Sequence, residues 1–124
     1  MQTVLIVDDD AEIRSMFCLA LARLPCQILE AADGCAALEV IRATSPDLIL
    51  LDVIMPRLDG WGVLRALQAD PRTRAIPVVL ISGHVLGDES QVREWGAVRL
   101  LSKPLSSIFE LPMLVRELLG IPPE

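Results

Sequence analysis

LILLDVIMPRLDGWG, Leu48 to Gly62, places four aliphatic residues directly before one carboxylate, Asp52. A run with no polar alternation reads as a strand buried on both faces, the pattern of a parallel-sheet interior. An ionised carboxylate at the end of such a run carries a large desolvation cost unless a charge or hydrogen bonds meet it. The strand reading covers Asp47–Leu51, and two further runs share its character, Thr3–Val7 (TVLIV) and Ile76–Ser82 (IPVVLIS). Cys26–Ala31 and Val98–Ser102 are weaker strand candidates.

Helical patterns fill the intervals. Asp10 is placed to cap a helix with apolar positions Ile13, Met16, Phe17, Ala20, Leu21 and Leu24, stopped by Pro25. Asp33-Gly34 opens a second helix, with Ala37, Leu38 and Ile41 on one face, ending near Thr44. Asp59-Gly60 opens a third, carrying Trp61, Leu64 and Leu67, and the DPRTR segment from Asp70 ends it. A fourth, weak pattern runs from Gly87 to Trp95. A fifth carries Leu111, Leu114, Val115 and Leu118. Proline in a helix interior costs about 3 kcal/mol, so this last helix is expected to start near Leu111, with Pro112 in its first turn and SSIFE as a separate turn.

Five strands alternating with five helices define an α/β chain, (βα)5, with a doubly wound parallel sheet, because each right-handed crossover lays a helix on the sheet. The 124 residues make one domain, 1–124, with a core over about 2–120. A net charge of −6 argues against direct nucleic-acid binding through a basic surface. No apolar run approaches the roughly 20 residues that span a bilayer, so no membrane role is expected. The N-terminus lacks a signal peptide's basic region, and the expected location is the cytoplasm. Cys18, Cys26 and Cys35 have no metal-ligand spacing and read as buried, reduced thiols. The single histidine, His84, leaves a Ser-His-Asp triad poorly supported.

Ligands of open parallel sheets bind beyond the carboxyl ends of the strands. Strand one ends in Asp8, Asp9 and Asp10, strand three in Asp52, strand four in Ser82, Gly83 and His84, and strand five in Ser102, Lys103 and Pro104. Converging carboxylates repel one another and suit a hard cation; Mg²⁺ takes oxygen ligands and keeps several waters. Asp10 is assigned to the helix cap instead. A phosphoryl group fits the rest, one oxygen each for Mg²⁺, Lys103 and Ser82, with Asp52 as acceptor.

VLIVDDD, DLILLDVIMPRLDGWGVLRAL, IPVVLISG and LLSKP together closely resemble the response-regulator receiver domain, over nearly the whole chain. The resemblance implies a flavodoxin-like five-stranded sheet of order 2-1-3-4-5. It implies that Asp52 is the phosphoacceptor, and that Asp9 ligates Mg²⁺ (or Mn²⁺) directly, with Asp8 alongside and the Ile54 carbonyl as a further ligand. Ser82 sits at the switch hydroxyl, Lys103 at the phosphoryl-contacting lysine, and Lys103–Pro104 where the family has a cis peptide. The implied partners are a sensor histidine kinase or phosphotransfer protein, with small acyl phosphates as alternative donors; the output partner or fused domain is not named by the sequence. Such a protein is no enzyme beyond its own phosphorylation and dephosphorylation.

Departures gather in one region. Leu100 stands at the family's switch aromatic, the Ser82–Gly96 segment is about one residue short, and Pro112 lies in the last helix. All three fall on the fourth helix, fifth strand and fifth helix, the family's usual output face, so the standard symmetric dimer there is doubtful. In the family the positions of Ile54 and His84 flank the route of attacking water; an aliphatic Ile54 cannot orient water, which implies a phosphorylated lifetime longer than that of the family's fastest members, while His84 is either a water-orienting group or a solvated loop residue. Trp61 is expected beside the third helix near the site, and Trp95 either half-buried or a partner anchor. Two alternatives stand: a haloacid-dehalogenase-type phosphatase using Asp8 and Asp10, and a degenerate receiver serving protein contact only.

Overall fold

The aliphatic runs become the interior of one sheet. The computed structural model describes residues 1–55, 57–83, 89–102 and 106–122, and of residues 89, 102 and 106–109 the backbone alone. The elements alternate strictly: β1 (Gln2–Val7), α1 (Ala11–Leu21), β2 (Cys26–Ala31), α2 (Gly34–Thr44), β3 (Leu48–Asp52), α3 (Gly60–Ala69), β4 (Val78–Ser82), α4 (Glu89–Glu94), β5 (Arg99–Ser102) and α5 (Ser106–Leu119). The sheet is parallel throughout, in the order β2-β1-β3-β4-β5. This is the flavodoxin-like order that the resemblance implied.

The sheet divides the core in two. Leu5, Val7, Ile49, Leu51, Val78 and Leu80 face a cluster closed by α2, α3 and α4. Their chain neighbours Val4, Ile6, Leu48, Leu50, Val79 and Ile81 face the cluster closed by α1 and α5. Between its ends each central strand is thus apolar on both sides, because both of its faces are covered.

The predicted caps form. Asp10 accepts from the Glu12 amide at 2.9 Å, Asp33 from the Ala36 amide at 2.8 Å, and Asp59 from the Gly62 amide at 2.9 Å. Each satisfies an amide that the helix cannot bond internally. Helix α1 stops at Leu21, short of Leu24, since the residue before Pro25 is disfavoured in helical geometry and the chain turns before it.

Two expectations are corrected. Helix α5 starts at Ser106, so SSIFE belongs to it and Pro112 lies in its interior. The helix holds because Leu111, Leu114, Val115 and Leu119 bury their side chains on the α1/α5 side of the sheet. Tertiary packing of an apolar stripe outweighs local propensity. It ends in a Schellman closure, with Gly120 at φ 70° and the Ile121 amide bonded to the Arg116 carbonyl at 2.9 Å. The thiols are also less buried than expected: Cys18 and Cys26 are half-buried and Cys35 is exposed. Cys35 falls between Gly34 and Ala36 in the first turn of α2, on the side away from the buried Gly34 and Ala37. Burial raises the Cys18 and Cys26 pKa values above the ordinary thiol value, for Cys18 with the added repulsion of Glu30.

Candidate functional site

Strand register brings the acids together. Val7 of β1 pairs with Leu51 of β3, so the next residues in each strand, Asp8 and Asp52, emerge side by side at the carboxyl edge. Asp52 in turn pairs with Ile81 of β4, which sets Ser82 one step further along. Asp8 is 1% exposed, Asp52 5% and Ser82 2%, whereas Asp9 is exposed to water. One carboxylate oxygen from each of Asp8, Asp9 and Asp52 lies within 4.8 Å of the others. These residues floor an open concavity of about 310 Å³, with Ile54 and Gly83 on its rim.

This donor set fits a hard divalent cation: all ligands are oxygen, their charge is negative, and the exposed Asp9 leaves room for water ligands. Asp10 lines the same concavity, and its Oδ1 accepts from the Glu12 amide of α1. Ile54 is 59% exposed beside the concavity. Leu100 is partly buried against the α2/α3/α4 side of the core. Lys103, Pro104 and His84, and with them the Lys103–Pro104 peptide, lie outside the described residues.

The surrounding loops are tightly tied. The Asp8 amide donates to Ala31 at 3.2 Å, and the Asp10 amide donates to Asp8 Oδ1 at 2.9 Å. Gly60 packs directly behind the site: a Cβ there would come 2.5 Å from the Asp52 carbonyl oxygen and 2.7 Å from Val53 Cα. Arg57, at φ 69°, turns the loop that follows β3 and pairs with Asp33 at 3.2 Å. The Ala36 amide, and then Arg57, hold the Asp33 carboxyl below the ordinary aspartate value.

Two arrangements were not legible beforehand. Arg14 of α1 donates to the Asp8 carbonyl at 2.7 Å and to Glu30 at 3.0 Å. Trp61 and Trp95 meet edge to face, ring centroids 4.9 Å apart and planes at 85°. Trp95 is 38% exposed, more open to water than the half-buried reading expects, with its ring in contact with Trp61. The Arg14 bonds join α1 to the ends of the strands on either side of it, and the tryptophan contact joins elements far apart in the chain.

A five-stranded sheet of this order, with an acidic trio at the carboxyl ends of β1 and β3, defines a flavodoxin-like domain built to act at that edge. The family model for the response regulator receiver domain matches residues 4–111, and the chain belongs to that family, the receiver domains of two-component signalling. It is 44% identical over 110 residues to the response regulator PleD of Caulobacter vibrioides, an alignment covering 85% of this chain and 23% of PleD. It is 33% identical over 104 residues to protein PilG of Pseudomonas aeruginosa, covering 83% of this chain and 77% of PilG. Among solved structures, the receiver domain of the Francisella response regulator 1452 superposes with a TM-score of 0.86 at 29% identity, covering 97% of this chain and 98% of that one. The chemotaxis protein CheY4 of Vibrio cholerae gives 0.81 at 29% identity, covering 94% and 98%. The chain thus spans less than a quarter of PleD and most of PilG. Among the described residues no helix is long and apolar enough to cross a membrane.

Proposed function

We propose that Asp52 accepts a phosphoryl group, in a reaction dependent on Mg²⁺ (or Mn²⁺), from the phosphohistidine of a sensor histidine kinase or phosphotransfer protein, or from a small acyl phosphate. The observation that carries this reading is the Asp52 carboxylate itself, 5% exposed at the end of β3 and within 4.8 Å of the Asp8 and Asp9 oxygens. An Asp52 oxygen bonds phosphorus as the bond from phosphorus to the donor imidazole nitrogen breaks; the imidazole keeps that electron pair and takes up a proton. A bound cation supplies neutralisation of charge on the phosphoryl oxygens. Asp8, Asp9 and Asp52 would hold it, with the Ile54 carbonyl as a further ligand. Ser82, at the adjacent strand end, would offer its hydroxyl to a phosphoryl oxygen and serve as the switch residue. Lys103 would meet another oxygen, and His84 and the Lys103–Pro104 peptide keep the roles the family assigns them.

In this reading the chain is a regulator that processes only its own aspartyl phosphate, in the cytoplasm. The phosphatase alternative would use Asp8 and Asp10 together, whereas Asp10 Oδ1 accepts from the Glu12 amide as the cap of α1. The standard dimer on α4, β5 and α5 is not expected to form, because Leu100 replaces the switch aromatic and Pro112 lies within α5. Incubation with acetyl phosphate and Mg²⁺ followed by mass measurement tests the central step. Wild type should gain one phosphoryl group and Asp52→Ala none; an unmodified wild type would overturn it.

A further inference from the structure

We infer that Arg14 is a positioning residue for the cation site, fixing the backbone of Asp8 so that the Asp8 and Asp9 carboxylates are set before a cation arrives. The inference rests on the reading of Asp8, Asp9 and Asp52 as a divalent-cation site, and it deepens that reading by naming what holds the ligands.

The geometry is specific. Arg14 lies in the first turns of α1, and its side chain is only 17% exposed. Nη1 donates to the Asp8 carbonyl at 2.7 Å, while Nε donates to Glu30 Oε1 at 3.0 Å. One guanidinium therefore joins three elements: the helix that carries it, the end of β1 and the end of β2. A planar fork can bond both acceptors at once, while an ammonium on a flexible stem acts as a point charge and matches such a pair poorly. The Asp8 amide is already bonded to Ala31 and its Oδ1 to the Asp10 amide, so the Arg14 bond fixes the remaining polar group of the Asp8 backbone. Three like charges do not gather unaided. A rigid loop that delivers two of them lowers the reorganisation needed when the cation binds.

The sign of the effect separates positioning from simple electrostatics. As a mere positive charge near the trio, Arg14 would repel a cation, and neutralising it would tighten binding. As a positioning residue it does the reverse, since groups that orient metal ligands typically contribute on the order of tenfold or more in affinity. A structural role alone would lower thermal stability and leave cation affinity unchanged.

The test is calorimetric titration of the full chain with MgCl₂ at fixed ionic strength, beside thermal unfolding without the metal. Arg14→Lys, which keeps the charge, should bind Mg²⁺ about tenfold more weakly. Arg14→Gln should also bind more weakly. Glu30→Gln, which leaves Arg14 in place but frees one end of its fork, should lose a smaller factor and serves if the Arg14 variants do not fold. Unchanged affinity in Arg14→Lys, tighter binding in Arg14→Gln, or losses confined to thermal stability would overturn the inference. Absence of saturable Mg²⁺ binding by wild type would overturn the cation-site reading itself, and this inference with it.

Discussion

Single residues decide the chemistry at the sheet edge. Ile54 is 59% exposed at the rim of the concavity, and its side chain has no group to hydrogen-bond water. With Asp52 as the proposed phosphoacceptor, loss of its phosphate would require an oriented water, so Ile54→Asn is expected to shorten the phosphorylated lifetime several-fold, read from the decay of the phosphorylated mass after the donor is removed. Decay no faster than wild type would count against Ile54 as a lifetime determinant. Asp33 makes a pH statement. Its folded pKa is depressed by the Ala36 amide and then by Arg57, so its contribution is present above the ordinary aspartate pKa and is lost as pH falls through the folded value. Wild type should therefore be more stable than Asp33→Asn near neutrality, and urea midpoints should converge in strong acid. Asp8, Asp9 and Asp52 were legible as a group because each follows an aliphatic strand. Arg14 was not, because an arginine in a helix reads as a solvated charge until Glu30 and the Asp8 carbonyl are seen beside it.

At the scale of elements, the apolar runs and the aspartate caps were the readable part. Strands β1 to β4 fall within a residue or two of the runs that signalled them, and Asp10, Asp33 and Asp59 cap the helices they were expected to open. The misreading of α5 has a physical source: local propensity weighs Pro112 at its full cost, while the buried stripe from Leu111 to Leu119 is a tertiary quantity. Pro112 removes the amide that would bond the Ile108 carbonyl one turn earlier. Pro112→Ala is expected to raise unfolding stability by about 2 kcal/mol, the helix gain offset in part by a less constrained unfolded chain. Chemical denaturation measures it; a loss of stability would mean that the proline ring itself packs productively. The edge-to-face Trp61–Trp95 contact ties α3 to the end of α4, a join that no local pattern announces.

For the whole molecule, the fold followed from alternation of buried strands and helices, whereas strand order came from family resemblance, since many orders satisfy the same alternation. The output face depends on partners, and one chain's sequence carries only departures there. Leu100, the Ser82–Gly96 segment and Pro112 fall on the elements that form the family's usual output face. The chain with beryllofluoride bound at Asp52 is therefore expected to sediment as a single copy at micromolar concentration; a dimer joined through α4, β5 and α5 would refute this. The division of the core has a wider bearing. Ile49 and Leu50 are consecutive, yet one packs with α2 and α3 and the other with α1 and α5. Neighbours in the chain are thus strangers in packing, while Ile49 and Leu80, far apart in sequence, share one compartment. Changes on opposite sides of the sheet add nearly independently, and changes on the same side interact. The domain can drift on one side while the other keeps its memory of the original packing.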